Sequence, residues 1–324
     1  MISWEHLSEL FMQMVIRPQL KNLDHITRFN LQRTQYNHIC DILLRNKSGS
    51  LSDSVGYDWT GWSAKIRQSF AKGVPIDFLK NPILAHTMVY ARSRGVLATQ
   101  QKIRFIKSIY DNNVVKHILR EDYIGLPTVT SILYLTSANC SHHAYHLAQY
   151  KKMIGIDFWN CDSIIEWGGG YGSMARIVRR MRPELTYIII DLPELLALQY
   201  VYLTSIFGVD AVNVISSNAE IIKGKISLIS SHSSYWKESS NLKCEGFLST
   251  WALTESPEND QIRVLKTAFF NAKHILMASM NNENNFMRYN INFSDNKNNP
   301  VSVKHVLNVP TGLGIGDGNE YWFQ

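Results

Sequence analysis

The residues best suited to chemistry lie in one stretch near the middle of the chain, residues 162–176. Its sequence is DSIIEWGGGYGSMAR, in which a carboxylate, Glu166, stands directly before a turn built on Gly168, Gly170 and Gly172. Glycine tolerates positive φ and has no Cβ, so such a turn lets the backbone approach a bound molecule closely. Helix-forming residues follow, and the start of a helix offers unpaired N–H groups. The pattern predicts a strand, a glycine turn and a helix that together bind a cofactor.

Two cofactor classes use a turn of this kind. The dinucleotide fingerprint G-x-G-x-x-G/A is met by Gly170, Gly172 and Ala175. Glu166 and the three glycines also form an acidic-x-Gly-x-Gly-x-Gly pattern, which resembles motif I of the class I S-adenosylmethionine (SAM) methyltransferases. A carboxylate before the turn suits SAM, which carries an ammonium and a sulfonium, and would repel the pyrophosphate of NAD. The position of Glu166 therefore favours SAM.

A second carboxylate, Asp191, ends the apolar run 186–190, about twenty residues after the turn. At the end of a second parallel strand, a carboxylate can accept hydrogen bonds from both ribose hydroxyls. SAM and NAD share this ribose, so Asp191 indicates a nucleoside-type cofactor without choosing between them. Asn218 follows a predicted third strand at 212–215, and we expect it at the adenine edge.

The elements that must position these residues alternate between strands and helices. The predicted strands are centred on 164–165, 186–190, 212–215, 246–253 and 272–278, and helices are predicted at 193–207 and 258–271. This alternation predicts right-handed crossovers and a parallel sheet that binds ligands at its carboxyl edge. Extended segments at 301–309 and 320–324 predict a terminal antiparallel hairpin. The fold class expected is α/β, a Rossmann-like class I methyltransferase sheet preceded by a mostly helical region.

The same patterns predict a division of the chain at residue 150. Residues 1–150 read as a helical region that acts as a lid or in oligomerisation, with a homodimer as one possibility, and residues 151–324 as the SAM-binding domain. Periodicity alone leaves the choice between lid and dimer interface open.

Composition limits the cellular location and the classes of partner that we expect. The net charge is +6, but the basic residues are spread out and form no run interleaved with aromatics, so no nucleic-acid partner is expected. No run approaches the roughly eighteen apolar residues that span a bilayer, and the first residues do not read as a signal peptide. Four scattered cysteines predict reduced thiols in a cytoplasmic protein.

Several short motifs together resemble one family. They are the Glu121…Gly125-x-Pro127 segment, residues 165–172, the Asp191-Leu-Pro193 and Gln199-Tyr200 pairs, and the run FLSTWALTE at 247–255. This set is similar to the sugar O-methyltransferases of bacteria, which are associated with polysaccharide biosynthesis, and the resemblance covers residues 120–280. It implies a SAM-dependent enzyme whose partner is a small sugar or a nucleotide- or lipid-linked glycan.

The predicted reaction needs a general base, because a sugar hydroxyl is a poor nucleophile. Glu255, after the fourth predicted strand, is one candidate, although it could instead cap the helix that follows. His143 and His146, on a helical segment before the first strand, are the others. His142 and His146 could share a helix face, but no metal site is expected, because the Glu of H-E-x-x-H is missing.

The remaining candidates are contacts to the acceptor, namely Glu121, His232 and Trp251. Other functions stay open at this point. One is a SAM methyltransferase acting on a natural product or a nucleic acid. Another, from a different class, is an NAD-dependent oxidoreductase or a nucleotide-binding module without catalysis.

Overall fold

The computed structural model describes most of the chain. The described residues are 24–45, 59–89, 95–216, 220–238, 242–280, 304–307 and 319–324, with Leu7, Leu10, Phe11, Met14 and Val15. Asn218 and the connection between the two terminal strands lie outside them.

The N-terminal part is helical, as predicted. Its helices are α1 (Asp24–Gln32), α2 (Tyr36–Arg45), α3 (Trp59–Ser69), α4 (Pro82–Thr87), α5 (Gly95–Ile109) and α6 (Asn112–Leu119). Side chains fix where two of them begin. Asn81 Oδ1 accepts from the backbone N–H groups of residues 83 and 84 at the start of α4, and Asp111 does the same for α6. Such caps satisfy N–H groups that have no partner inside the helix.

A small two-stranded unit separates these helices from the main sheet. Strands β1 (Val129–Ser131) and β2 (Thr136–Ser137) are antiparallel, and the long helix α7 (Ala138–Ile154) follows at once. Ser137 caps the start of α7, and Gly155, with φ of 93°, ends it. The predicted division at residue 150 falls within α7.

The main sheet has eight strands among the described residues. They are β3 (Ser163–Trp167), β4 (Thr186–Asp191), β5 (Val212–Val214), β6 (Ile226–Ser230), β7 (Gly246–Thr250), β8 (His274–Met280), β9 (Lys304–Leu307) and β10 (Asn319–Phe323). The order across the sheet is β5-β6-β4-β3-β7-β8-β10-β9. The pairs from β5 to β8 are parallel, and β10 is antiparallel to both of its neighbours. This arrangement confirms the predicted fold class.

The predicted strand at 212–215 is present as β5, whereas β6 was not among the predicted strands. In the structure β6 pairs with β4, and β5 lies outside it at the edge. The five residues of β6 are all buried, whereas β5 is partly exposed, as expected for an edge position.

Apolar layers cover both faces of the sheet. Helices α8 (Ser173–Met181) and α9 (Pro193–Phe207) pack with α7 and the N-terminal helices against one face. Helices α10 (Ser234–Glu238) and α11 (Glu258–Lys266) cover the other. Burying each large apolar side chain stabilises the fold by about 1.5–3 kcal/mol, so both layers hold the strands in register. None of the described helices is both long and apolar enough to cross a bilayer.

Candidate active site

The glycine turn between β3 and α8 has the backbone that its sequence requires. Gly168, Gly170 and Gly172 have φ of 75°, 58° and 96°. Residues other than glycine rarely adopt such φ values. Space is also limited, because a Cβ added to Gly168 would lie 2.0 Å from Cβ of Ala252. The turn therefore brings the backbone against the segment that follows β7.

Asp191 lies at the carboxyl end of β4 and is bound to this turn. Its Oδ1 accepts from the N–H of Leu192 at 2.7 Å, and its Oδ2 accepts from Nε2 of Gln199 at 2.7 Å. Gln199 Nε2 also donates to the carbonyl of Gly170 at 2.9 Å. Burial raises the pKa of Asp191 to about 7, although these hydrogen bonds favour its ionised form. Gln199 thus holds the carboxylate and the turn together.

Gln199 is a site residue that we did not predict, except as part of a family motif. It is fully buried in α9, whose sequence PELLALQYVYLTSIF is otherwise mostly apolar. Buried polar side chains need hydrogen-bond partners, so an amide in such a helix is a usable signal.

Glu166 lies deeper than predicted. It is 2% exposed and accepts a hydrogen bond from the hydroxyl of Tyr187 on β4 at 2.9 Å. Burial raises its pKa to about 8. The predicted repulsion between Glu166 and a pyrophosphate requires an ionised carboxylate, and a carboxyl that prefers its neutral form does not provide it.

The segment after β6 lies beside Asp191. The N–H of Ser231 donates to the carbonyl of Asp191 at 2.8 Å, and the N–H of His232 donates to Oγ of Ser230 at 3.2 Å. His232, predicted as a substrate contact, thus follows β6 at the carboxyl edge of the sheet, next to the strand that ends at Asp191. Asn218, predicted at the adenine edge, is not among the described residues.

The turn after β7 carries Trp251 and Glu255. The N–H of Trp251 donates to the carbonyl of Ala278 at 2.6 Å, which fixes this residue at the ends of β7 and β8. Glu255 is half-buried, and its Oε2 accepts from Nε1–H of Trp59 in α3 at 3.2 Å. Burial raises the pKa of Glu255. A carboxylate with a raised pKa, at the edge where ligands bind, suits a general base.

The histidines of α7 form a buried group behind Trp251. His146 Nδ1 is hydrogen-bonded to the hydroxyl of Tyr321, and its Nε2 lies 3.2 Å from Nε2 of His142. The ring of His142 stacks on Trp251 with centroids 5.5 Å apart. Burial lowers the pKa of both histidines well below its ordinary value. His146 therefore links α7 to β10 inside the protein.

His143 and Glu121, two further candidates, are also surrounded by other parts of the protein. Burial lowers the pKa of His143 to about 3, so its neutral ring is a weak base. Glu121 Oε2 accepts from Nη1 of Arg176 at 2.9 Å, and both side chains are buried. Across the described ranges, no three His, Cys, Asp or Glu side chains are grouped so as to hold a metal ion.

Helices of the N-terminal region reach over this edge of the sheet. Asn139 Nδ2 donates to the carbonyl of Met88 at 2.7 Å, and Sδ of Met88 lies 3.8 Å from where a Cβ on Gly170 would be. Together with the bond from Trp59 to Glu255, these contacts join the N-terminal helices to both ends of the candidate site. The sequence left this arrangement open.

Comparisons with known proteins found similarity at the level of structure. No family model matches the chain, and no curated protein matches it. The chain is similar to the methyltransferase domain of the bacterial CtHen1-CN, with 11% identity, a TM-score of 0.35, and coverage of 51% of this chain and 91% of the other. For the plantazolicin methyltransferase BpumL the identity is 16%, the TM-score 0.27, and the coverage 58% of each chain. For the mitomycin 7-O-methyltransferase MmcR these values are 13%, 0.31, and 86% and 82%.

Proposed function

We propose that this protein is a SAM-dependent methyltransferase that methylates a hydroxyl of a sugar or glycan precursor. The observation that carries the proposal is the joined pair of glycine turn and Asp191 at the carboxyl edge of the sheet. The glycines of the turn present no side chain to a ligand, and the carboxylate of Asp191 is the group that a ribose diol would meet.

Two features support SAM over a dinucleotide. The start of α8, where a pyrophosphate would bind, is covered by the chain, since Ser173, Met174 and Ala175 are at most 2% exposed. In addition, the antiparallel β10 between β8 and β9 fits the predicted methyltransferase sheet better than a typical dehydrogenase sheet.

Roles for the chain's residues follow from their positions. When bound, SAM supplies an electrophilic methyl group on its sulfonium. Gly168, Gly170 and Gly172 permit close approach, and Asp191, held by Gln199, binds the ribose. Glu255 would accept the proton of the acceptor hydroxyl, whose oxygen would take the methyl group that SAM supplies. The buried His146 and His142 position Trp251 rather than move protons.

The sugar class of the acceptor rests on the motif resemblance. The cellular location rests on a separate observation, because Cys140, Cys161 and Cys244 are buried free thiols. Free thiols are typical of a reducing compartment, which supports the expected cytoplasmic location.

Calorimetric titration with S-adenosylhomocysteine (SAH) tests the cofactor. We expect the wild type to bind SAH with micromolar affinity and Asp191→Ala to lose at least about tenfold, the equivalent of one or two hydrogen bonds. Asp210→Ala is the matched control, since Asp210 is an exposed carboxylate before β5, at the opposite edge of the sheet. Binding of NADH in place of SAH would overturn the proposal.

A further inference from the structure

We propose that Trp59, Trp62 and His86 form an aromatic wall that binds the ring of the acceptor and places its hydroxyl beside Glu255. The ligand class is a sugar ring, which has a face of C–H groups and hydroxyls at its rim. This inference rests on the proposed function and extends it to the acceptor.

The three rings contact one another in a row, with Trp62 in the middle. The centroids of Trp59 and Trp62 are 5.1 Å apart with an angle of 85° between the rings, and those of Trp62 and His86 are 6.1 Å apart with an angle of 80°. Edge-to-face contacts of this kind hold each ring in place. The aromatic wall is therefore formed before a ligand arrives.

The aromatic wall is partly exposed to solvent, unlike the core beside it. Trp59, Trp62 and Ile66 follow one another at helical spacing on α3, and Ile66 is completely buried. The two tryptophans are only partly buried, and His86 is exposed. The apolar face of α3 is therefore buried at Ile66 but only partly buried at its N-terminal end, next to the candidate site. Two large aromatic rings remain partly exposed to solvent there. Such a partly wet aromatic surface is typical of binding sites.

The wall is tied to the groups that would carry out the transfer. Trp59 Nε1–H donates to Oε2 of Glu255, so one end of the wall meets the proposed base. At the other end His86 lies in α4, and Met88, two residues later, lies near Gly170 of the glycine turn. The wall therefore begins at the proposed base, and the helix that carries its other end, α4, is followed by Met88 beside the glycine turn.

The chemistry of the wall suits a sugar. The faces of aromatic rings carry partial negative charge and attract polarised C–H groups, which line one face of many pyranoses. The hydroxyls at the rim of such a ring would then meet the carboxylate of Glu255, which can accept hydrogen bonds from them. A general base must lie within hydrogen-bond reach of the proton that it removes.

The test uses SAH-loaded protein and saturation-transfer NMR with methyl glucoside, methyl galactoside, methyl mannoside and methyl rhamnoside at millimolar concentrations. Catechol serves as a planar aromatic probe. We expect at least one glycoside to bind through its C–H face, Trp62→Ala to weaken it about three- to tenfold, and Trp62→Phe to restore most of the binding. His86→Ala should weaken it less, and the exposed His117→Ala, outside the wall, should not.

The outcomes separate this inference from the proposed function. If SAH binds normally in every variant but the glycosides bind equally well to Trp62→Ala, or only catechol binds, the aromatic wall is not the sugar site. Absence of glycoside binding to the SAH-loaded wild type would also overturn it. If the wild type fails to bind SAH, the proposed function itself fails. Circular dichroism of each variant checks that it is folded.

Discussion

The two sides of the candidate site are built in different ways. On the glycine-turn side, Asp191 bonds to its neighbour Leu192 and to Gln199, eight residues away. On the β7 side, the bond between Trp59 and Glu255 joins residues 196 positions apart, and that between His146 and Tyr321 joins residues 175 apart. The first side is therefore specified by a local sequence pattern, and the second by the packing of distant segments. Substitutions on the two sides should therefore have different effects.

The largest effect is expected at Arg176, which connects the two sides. Arg176 lies in α8, after the glycine turn, and binds Glu121 as well as Sγ of Cys140 in the first turn of α7. Arg176→Met would leave the Glu121 carboxylate buried without its partner, so we expect a loss of about 3–5 kcal/mol in the free energy of unfolding. Urea unfolding at neutral pH measures it.

Arg182→Met is the control for this prediction. Arg182 pairs with Asp162 and Glu184, whose side chains are 82% and 71% exposed. Exposed pairs contribute about 0–1 kcal/mol. Equal losses in the two arginine variants would mean that Arg176 does not connect the sides in the way described.

A smaller effect is expected where the glycine turn touches the β7 side. Gly168→Ala requires positive φ and places a methyl group 2.0 Å from Cβ of Ala252, so we expect a loss of about 2–4 kcal/mol together with loss of SAH binding. Gly155→Ala has the same backbone problem, at φ of 93°, but no atom lies within 4 Å of the added Cβ. It should cost about 1–2 kcal/mol and leave SAH affinity unchanged. Unfolding and calorimetry of both variants would decide, and similar SAH affinities would argue against close approach at Gly168.

How far each side could be predicted follows from the same difference. The glycine turn, the strand that ends at Asp191 and the parallel sheet were predicted because glycine spacing and apolar runs encode them locally. Gln199 was missed as a site residue, and β6 was missed as a strand because its segment is short. The contact between Trp59 and Glu255 could not be predicted, since no sequence pattern links the two residues.

Burial of charge was the other property that sequence did not reveal. Glu166 was expected to be ionised near the cofactor, yet the structure places it under the turn with Tyr187. His143 and His146 were expected to reach the substrate, but burial makes both weaker bases. A residue's type and position in a motif do not fix its solvation, which depends on every segment packed around it.

The last effect expected is a change in the pH dependence of stability. Folded Glu166 keeps its proton up to a pKa of about 8, whereas the unfolded carboxyl loses it near 4.5. Between these values the folded state binds more protons, so the free energy of unfolding should fall as pH rises, by at most about 1.4 kcal/mol per pH unit for this group. Glu166→Gln should reduce that slope between pH 5 and 8, and Asp191, whose pKa is raised to about 7, would account for part of what remains. Urea unfolding at several pH values in this range measures the slope. The exposed Glu220→Gln is the control. An unchanged slope in Glu166→Gln would show that Glu166 ionises freely.

The position of β10 has a consequence for synthesis of the protein. Strand β10 lies between β8 and β9, although β9 precedes it in the chain. Until residues 319–323 have left the ribosome, β8 has an open edge, and its buried residues Ile275, Leu276 and Met277 have no cover from that side. Open apolar strand edges are templates for aggregation. The nascent chain therefore carries an exposed strand edge between the synthesis of β8 and that of β10, and a chaperone that shields that edge would raise the yield of folded protein.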